Sequence, residues 1–434
     1  MAEARATCGR LFPSLTQGHI PGRPEGNAVR YNHAIMRSSE PVISAPLPRA
    51  ALERVLLPFG TSRMLPQEAY VAPEVLAWEQ RHFFEGGWIC AGRADDLVKP
   101  GDYRAVRAGG SGILLVRDET GMLHGFYNVC RHRAHELLAE GGCAHGWAIR
   151  CPYHGWTYNL DGGLRTSGRT GDGAGFDPSR EGLVRARTEV WRGFVFVNAS
   201  NDAPPLAEWI GDLDGLVRSH EPERLRVGAA HSYEIAANWK LVVENYHECY
   251  HCPQIHPQLC KISPPDSGNN LFRTGAWVGG TMDLVDGAVT MSMDGHSDGV
   301  FLRGLNDQQR RHVDYWGLFP NLLLSPHPDY VLTHRLEPLS PDRTRIECQW
   351  LFPPEALERT GFDPSYAVEF WDVTNQQDWR AVESVQRGVS SRGYIPGTYN
   401  SVEDALYQFI TRVARGYLEG SFDPAVATTA PSRG

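Results

Sequence analysis

Short runs dominated by apolar residues mark the strands of a first predicted sheet. The runs are GILLVRD at 112–118, MLHGFYNV at 122–129 and GWAIR at 146–150. Turn-forming residues separate them, ETG at 119–121 and two glycines at 141–142. The pattern predicts a small antiparallel sheet with functional loops at the ends of its strands.

The second half of the chain has the pattern of a larger sheet covered by helices. In residues 317–352, apolar runs are split by Pro and Asp turns, which predicts successive hairpins. The segment that begins at 370 predicts a helix that ends before Gly388. VEDALYQFITRVARGYL at 402–418 predicts an amphipathic helix that closes over the sheet.

Length and charge limit the class of protein. A chain of 434 residues predicts two or three domains, and its formal net charge of −9 argues against nucleic-acid binding. No stretch approaches 18 apolar residues, and residues 1–20 lack the apolar core of a signal peptide. We therefore expect a cytoplasmic protein that does not bind a membrane or nucleic acid.

The nine cysteines are the first chemical signal. In a cytoplasmic chain they are more often metal ligands, catalytic groups or buried thiols than disulfides. Two short hooks stand out, Cys130-x-His132 and Cys151-x-x-His154, both after predicted strands. Two Cys and two His can bind a tetrahedral zinc ion, or a [2Fe–2S] cluster with His on one iron. Cys143 lies between the hooks and is interpreted as a small buried or loop residue.

A second cluster of potential ligands lies on a predicted helix. Residues 238–251 contain no Gly or Pro, Asn238 is a suitable N-cap, and Pro253 is expected to end the helix. On such a helix Glu248 and His251 share one face, because they are three residues apart.

His256 follows on the exiting turn, and two His with a carboxylate are typical of non-haem Fe(II) oxygenases. A surface helix that happens to contain histidines is the default alternative. His247 and His251 also have the spacing of a zinc helix, and Cys249-x-x-Cys252 resembles a redox or zinc pair.

Both clusters together resemble the α subunits of Rieske non-haem iron oxygenases. The hook CPYHGW at 151–156 closely resembles the Rieske motif, which implies that Cys130, His132, Cys151 and His154 bind a [2Fe–2S] cluster. The N-x-x-[DE]-x-x-H-x-x-x-x-H pattern of the family matches Asn245, Glu248, His251 and His256.

The resemblance also implies roles for these residues. His251 and His256 are expected to bind a mononuclear Fe(II). Glu248, and Asn245 beside it, belong to the catalytic set, with Glu248 as the acidic bridge that receives electrons from the cluster of a neighbouring subunit. The third iron ligand is expected in TNQQD, which selects Asp378 over Asp372 and Glu383.

The implied architecture is α+β. It combines a small all-β Rieske domain with a helix-grip, START-like catalytic domain built on an antiparallel sheet. The expected divisions are a flexible or wrapping arm at 1–60, a lead-in helix at 61–84, the Rieske domain at 85–200 and the catalytic domain at 201–434.

The implied activity is hydroxylation with O₂ and electrons that originate from NAD(P)H. The chain has no nucleotide-binding fingerprint, so a separate flavin or ferredoxin-type reductase is expected, as is a homotrimer. A Glu at the bridging position resembles the branch that oxidises quaternary ammonium compounds such as glycine betaine, with release of formaldehyde.

Two alternatives stay open at this point. One is a Rieske oxygenase that hydroxylates an aromatic ring or a specialised metabolite, and the other is a zinc-stabilised binding protein without enzymatic activity. Tyr250 and Trp277 are candidates for an aromatic wall around a cationic substrate, with core packing as their default role.

Overall fold

A seven-stranded antiparallel sheet and a small three-stranded sheet form the first half of the fold. In the computed structural model, residues 43–168, 175–272 and 274–425 are described. The strands are β1 (Ile89–Arg93), β2 (Asp102–Ala108), β3 (Ser111–Arg117), β4 (Leu123–Tyr127), β5 (Cys143–His145), β6 (Ile149–Arg150), β7 (Thr157–Tyr158), β8 (Leu164–Thr166), β9 (Arg185–Trp191) and β10 (Phe194–Asn198). The large sheet has the order β1-β10-β9-β4-β3-β2-β5, and the small one β6-β7-β8. The three predicted strands are β3, β4 and β6, and Cys143 lies half-buried at the start of β5 rather than in a loop.

A second seven-stranded sheet forms the other half. Its strands are β11 (Arg226–Ile235), β12 (Asn269–Leu271), β13 (Trp277–Asp283), β14 (His312–Leu318), β15 (Leu322–Pro326), β16 (Val331–Ser340) and β17 (Arg343–Phe352). They are ordered β11-β17-β16-β15-β14-β13-β12, and all neighbours are antiparallel. The Pro and Asp turns predicted at 317–352 are the connections between β14 and β17.

Helices cover this second sheet. They are α1 (Arg49–Val55), α2 (Glu68–Val71), α3 (Pro73–Glu79), α4 (Leu206–Ile210), α5 (Leu213–Val217), α6 (Trp239–Tyr246), α7 (Cys252–Ile255), α8 (Pro257–Ile262), α9 (Pro354–Leu357), α10 (Ser365–Val389) and α11 (Asp404–Glu419). The buried residues of α10 recur every three or four positions, so one face of this 25-residue helix packs on the sheet. The helix runs through Gly388 instead of ending before it.

The segment before the first sheet belongs to the second half of the fold. Glu79 at the end of α3 is fully buried and accepts a hydrogen bond from Lys240 Nζ at 2.6 Å. Tyr417 of α11 and Trp239 of α6 also donate to the Glu79 carboxylate. Three helices from distant parts of the sequence therefore meet at one buried carboxylate.

The predicted N-terminal elements need correction. Residues 49–55 form α1, which packs against α11 of the same chain, so this part of the predicted arm is a helix docked on the second half of the fold. Residues 1–42 of that prediction lie outside the described part of the chain. The lead-in helix predicted at 61–84 is divided into α2, α3 and a π-helical turn at Gln80–Glu85.

The two halves share side-chain contacts between their sheets. Asn321 accepts a hydrogen bond from the Cys90 amide at 2.8 Å and returns one from its own amide to the Cys90 carbonyl at 3.1 Å. The architecture is the α+β arrangement expected, with all ten strands of the first half inside 85–200 and the seven of the second inside 201–434. Among the helices in the described ranges, none has the length and apolar character needed to span a membrane.

Candidate active site

The first Cys/His hook is a backbone turn that closes on its own cysteine. The Cys130 amide donates to the His135 carbonyl at 2.9 Å, and the Cys130 carbonyl accepts from the Ala134 amide at 3.0 Å. Ala134 has a φ of 55°, the left-handed conformation that such a turn requires. The hook follows β4 directly and is held by three residues of its own.

The second hook, between β6 and β7, repeats this turn. The Cys151 amide donates to the Trp156 carbonyl at 2.7 Å, and the Cys151 carbonyl accepts from the Gly155 amide at 3.1 Å. Gly155 has a φ of 79° and occupies the position that Ala134 has in the first hook, four residues after the cysteine. Here glycine supplies the left-handed conformation without steric cost.

The two hooks place two cysteine sulfurs in the protein interior and two imidazole rings at its surface. Cys130 and Cys151 are each 2% exposed and have free thiols. The rings of His132 and His154 lie at the surface with centroids 4.6 Å apart. Tyr158 places its hydroxyl 3.2 Å from the Cys130 sulfur. This donor set fits a [2Fe–2S] cluster with a buried thiolate side and an exposed imidazole side.

The surroundings of the hooks shift the pKa values of Cys151 and His154. Burial raises the pKa of the Cys151 thiol, while the backbone amides of Tyr153 and His154 donate to its sulfur and act in the opposite direction. Partial desolvation lowers the pKa of His154, and the nearby His132 and Arg133 act in the same direction. The lowered pKa favours the neutral form of His154, which is the form that binds a metal.

The second group of donors joins the two ends of α7 to α10. The His251 and His256 Nε2 atoms are 3.2 Å apart, and Asp378 Oδ1 lies 3.5 Å from the first and 2.9 Å from the second. Bonds of about 2.1 Å at right angles place metal ligands about 3.0 Å apart, so this set fits one face of an octahedral ion. Burial lowers the pKa of His256, but the hydrogen bond and charge of Asp378 outweigh it and raise the pKa above its usual value.

The loop before His251 differs from the predicted helix. The helix α6 ends at Tyr246 instead of continuing to 251. The Glu248 carboxylate accepts hydrogen bonds from the amides of Tyr250 at 2.6 Å and His251 at 3.1 Å, and so replaces helical carbonyls as their partner. Pro253 lies in the first turn of α7 and does not end a helix. Glu248 and His251 are close, as predicted, but through this turn and not through a shared helical face.

Hydrogen bonds fix the orientation of both histidines. Glu248 Oε1 lies 2.5 Å from His251 Nδ1, and Gln377 Oε1 lies 2.7 Å from His256 Nδ1. Because each Nδ1–H is donated to oxygen, each Nε2 presents its lone pair to the shared point. Asn245 places its amide nitrogen 3.5 Å from His251 Nε2. Gln377 was not predicted, although it precedes Asp378 in TNQQD.

The other carboxylates considered as ligands have different partners. Asp372 accepts hydrogen bonds from the Tyr233 hydroxyl and the Gln376 amide, both at 2.6 Å. Glu383 accepts from the Ala236 amide at 3.1 Å. Both lie on α10, as Asp378 does, but neither contacts the two histidines in the contacts described.

The cysteine pair in this loop, interpreted from its spacing as a redox or zinc pair, is a disulfide. Cys249 and Cys252 are bonded, with their Cα atoms 4.9 Å apart. The Cys252 sulfur lies 3.8 Å from His251 Nε2, but a disulfide sulfur is not a thiolate ligand. Burial lowers the pKa of His247 to about 3, and this residue lies outside the donor set.

A cavity of about 280 Å³ lies beside His251, His256 and Asp378. It is enclosed by α6, the loop after it, α10 and strands β13 to β16. Three aromatic residues line it in a row: the ring centroids of Tyr246 and Tyr315 are 6.0 Å apart, and those of Tyr315 and Trp371 are 6.4 Å apart. We call these three rings the aromatic wall.

Only one of the two aromatic residues proposed from the sequence lines this cavity. Tyr250 does so from the exposed loop. Trp277 is 3% exposed, stacks edge-on against Trp316 and has its default role in the core. The aromatic wall itself was not predicted.

Two family models match the chain. The Rieske [2Fe–2S] domain matches residues 87–172, and the catalytic domain of the ring hydroxylating alpha subunit matches residues 222–419. The first range contains both hooks and the second contains the three donors beside the cavity.

Characterised proteins and solved structures are similar over most of their length. The oxygenase subunit of glycine betaine monooxygenase from Chromohalobacter salexigens is 32% identical over 77% of this chain and 81% of its own. The oxygenase subunit of carnitine monooxygenase from Escherichia coli K12 is 32% identical over 76% of this chain and 87% of its own. A solved quaternary ammonium Rieske monooxygenase, described in connection with carnitine oxidation and inter-subunit electron transfer, superposes with a TM-score of 0.72 at 26% identity, covering 86% of this chain and 99% of its own.

Proposed function

The chain belongs to the family of Rieske-type ring-hydroxylating oxygenase α subunits, and we propose that it removes an N-methyl group from a quaternary ammonium compound. It is an oxidoreductase that works with a [2Fe–2S] cluster, a mononuclear non-haem iron and a separate reductase that draws on NAD(P)H. The expectation of a Rieske oxygenase is thereby confirmed, and the alternative of a zinc-stabilised binding protein is wrong.

The observation that carries the substrate class is the aromatic wall beside the three donors. The Tyr246 hydroxyl is 2.8 Å from Ser325 Oγ, and the Trp371 indole donates to the Tyr330 hydroxyl at 2.7 Å. The polar edges of two of these rings are therefore occupied by protein partners, which leaves π faces for a ligand. Quaternary ammonium groups bind aromatic faces because the ring quadrupole attracts the cation and no hydrogen bond is needed.

We assign the metal groups to two sets of residues. The cluster would be held by Cys130, His132, Cys151 and His154. Their buried sulfurs and surface imidazoles match the two sides of such a cluster. The set of His251, His256 and Asp378 would hold the iron. When bound, the cluster supplies single electrons and the iron supplies the activation of O₂.

The protein side chains around the iron set have positioning roles. Glu248 holds the proton at His251 Nδ1, and Gln377 holds the proton at His256 Nδ1, which favours the tautomer whose Nε2 can bind the metal. The amide of Asn245 lies at the same point as a neutral donor. The aromatic wall orients the cation and keeps water away from the methyl group that reacts.

The overall reaction is balanced by two electrons and two protons. One oxygen atom of O₂ is inserted into a C–H bond of the N-methyl group, and the other leaves as water. The N-hydroxymethyl product then breaks its C–N bond, which releases formaldehyde, a tertiary amine and one proton. The two electrons come from the reductase.

We further propose a homotrimer in which Glu248 connects two subunits. The Glu248 side chain is 13% exposed and contacts His251, whereas His154 lies fully at the surface. A head-to-tail ring of three copies would place His154 of one copy against Glu248 of the next, since heterologous contacts close into rings. The inter-subunit electron transfer described for the solved relative supports this arrangement.

A Glu248→Gln variant tests that connection. It should keep the colour of the cluster and the mononuclear iron, because neither set loses a ligand. Oxidation of the prereduced cluster by O₂ and substrate should slow by about 100-fold. An unchanged rate in a trimer of normal mass would contradict the bridging role.

Formaldehyde release tests the proposed reaction. Iron-replete protein would be supplied with NADH, a surrogate reductase, O₂ and a panel of glycine betaine, choline, carnitine, stachydrine and several aromatic acids. We expect formaldehyde in a constant ratio to the consumption of at least one quaternary amine. A hydroxylated aromatic product without formaldehyde would favour the alternative of ring hydroxylation instead.

A further inference from the structure

We propose that the cavity prefers quaternary ammonium compounds that carry no carboxylate, so that net cations such as amino alcohols and carboxamides are better substrates than zwitterionic betaines. This inference rests on the proposed N-demethylation and narrows its substrate class. It concerns the part of the substrate that lies away from the methyl group.

The charged side chains around the cavity are all acidic in the described part of its lining. They are Glu248, Asp266, Asp378 and Asp404, and no Lys or Arg accompanies them among the described lining residues. A divalent ion at the three donors would offset Glu248 and Asp378. The remaining two carboxylates would leave the cavity with a negative field that attracts a cation and repels an anion.

Two of the three buried histidines of the lining, His247 and His334, do not supply a positive charge, and the third, His256, belongs to the iron set. Burial lowers the pKa of His247 to about 3 and that of His334 to about 4, so both rings are neutral at physiological pH. His334 Nε2 lies 3.1 Å from Asn375 Oδ1 and is therefore the protonated nitrogen. A substrate carboxylate would find no cationic partner in either ring.

The N-terminus of α11, which lies in the cavity wall, is already occupied by a carboxylate of the protein. Asp404 is 8% exposed, opens the 16-residue helix α11 and lies in the cavity wall. Its Oδ1 accepts hydrogen bonds from the Ala405 amide at 3.1 Å and from the Asn270 side-chain amide at 2.5 Å. The donors at this position thus serve a carboxylate of the protein itself, and the helix dipole stabilises that charge.

A carboxylate on the substrate would therefore be desolvated without a cationic partner among the described lining residues. Transfer of an anion from water into a cavity that lacks a cation is unfavourable, and nearby carboxylates increase the cost. A hydroxyl or a carboxamide does not carry this charge, and can be satisfied by a neutral group such as Thr281 of the lining. The trimethylammonium end is the same in all these compounds and would occupy the aromatic wall.

The decisive comparison is between glycine betaine and its carboxamide, which have nearly the same shape but differ by one unit of charge. For the holoenzyme with reductase and O₂, we expect kcat/KM from formaldehyde release to be at least tenfold higher for the carboxamide, with choline on the same side. Dissociation constants from calorimetry under anaerobic conditions should show the same order. Equal or better binding and turnover of glycine betaine would overturn the inference.

The two proposals fail in different ways in this experiment. Formaldehyde from glycine betaine with no preference for the carboxamide would retain the N-demethylation and overturn the charge selection. Tighter anaerobic binding of the carboxamide with no formaldehyde from any compound would support the charge selection and contradict N-demethylation.

Removal of the acidic charges identifies their contribution. The Asp404→Asn variant should reduce the preference for the carboxamide over glycine betaine, measured by dissociation constants, about fivefold. Asp266→Asn should reduce it by less, because Asp266 is exposed and solvent screens its charge. Asp307→Asn is the matched control, because Asp307 is exposed and lies outside the cavity lining. If Asp404→Asn does not fold, Asp266→Asn still gives the test. A preference unchanged from wild type in the folded variants would overturn the acidic wall as the cause.

Discussion

The two candidate metal centres differ in how the fold assembles them. The cluster ligands come from two copies of one local turn within residues 130–154, and their imidazoles lie at the surface. The iron ligands come from the two ends of α7 and from α10. His256 and Asp378 are 122 positions apart in the sequence, and His256 is 2% exposed. The difference follows from what each centre exchanges with its surroundings. An electron carrier needs an exposed edge, whereas O₂ chemistry needs an enclosure that holds the substrate and excludes water.

Each centre also depends on a different level of structure. The turn of each hook is closed by its own backbone hydrogen bonds, so the shape of each turn follows largely from local sequence. The iron set requires the correct packing of α10 against the sheet and against the loop after α6. Damage to one centre should therefore leave the other intact, and this separation is what the following changes test.

Loss of a cluster ligand should have the largest effect. A Cys130→Ala variant should lose the visible colour of the cluster and all turnover, while a divalent metal still binds at the other centre with a stoichiometry of one per chain. Absorption spectra and metal analysis measure these two properties separately. Retained cluster absorption would contradict the assignment of Cys130.

Loss of the predicted carboxylate ligand should have the converse effect. An Asp378→Ala variant should keep the cluster spectrum but lose mononuclear iron and at least about 1,000-fold of the turnover rate, since a three-ligand site becomes a two-ligand site. Asp372→Asn is its control on the same helix, and should keep iron because Asp372 bonds to Tyr233 and Gln376. Iron loss in the control instead would transfer the ligand role to Asp372.

The orientation of a ligand should matter less than its presence. A Gln377→Leu variant removes the acceptor of His256 Nδ1–H and should weaken Fe(II) or Co(II) binding about 10- to 100-fold. Gln376→Leu is the adjacent control, because Gln376 is exposed and contacts Asp372. The cluster spectrum should be unchanged in both. Equal metal affinities in the two variants would show that Gln377 does not position His256.

The smallest expected effect concerns stability near the iron centre. Glu244 of α6 accepts a hydrogen bond from the Tyr70 hydroxyl at 2.9 Å, and burial raises the pKa of its carboxyl to about 8. Because the pKa is raised only in the folded state, the unfolded chain ionises this carboxyl group at a lower pH than the folded chain does. The free energy of unfolding therefore falls as the pH rises from the ordinary pKa of a glutamate toward 8. A Glu244→Gln variant escapes this loss. Its advantage over wild type should grow by about 2 kcal/mol between pH 6 and pH 8.5.

Thermal unfolding at the two pH values measures this difference. The melting temperature of Glu244→Gln should exceed that of wild type by more at pH 8.5 than at pH 6. A gap that narrows with pH would mean that Glu244 is ionised and compensated in the folded chain. The hooks contain no comparable buried carboxylate among their described contacts, so the cluster spectrum should be insensitive to the change.

The cluster centre could be predicted from the sequence because its ligands and its turn lie in the same short segments. The pairing of Glu248 with His251 was also predicted, but for an incorrect reason. The helix was extended to 251 from the absence of Gly and Pro, whereas the Glu248 carboxylate takes the amides of Tyr250 and His251 and ends the regular helix.

The cavity could not be predicted in this way. Asp378 was selected over two carboxylates on the same helix by family resemblance, since spacing cannot show which face of α10 meets His251 and His256. The aromatic wall depends on which face each residue takes in a sheet of seven strands, and Trp277 was a candidate although its side of β13 faces the core. Asp404 and Gln377 acquire their roles only through tertiary contacts.

The buried carboxylate of Glu79 has a consequence for the synthesis of the chain. Its partners Lys240 and Tyr417 follow it by 161 and 338 residues. At roughly 5–20 residues per second, a ribosome would need on the order of 20–70 s to add Tyr417 after Glu79. The strands that hold the hooks are synthesised well within that interval. The domain that carries the cluster can therefore fold before α11 is available to pack against α1 and α3.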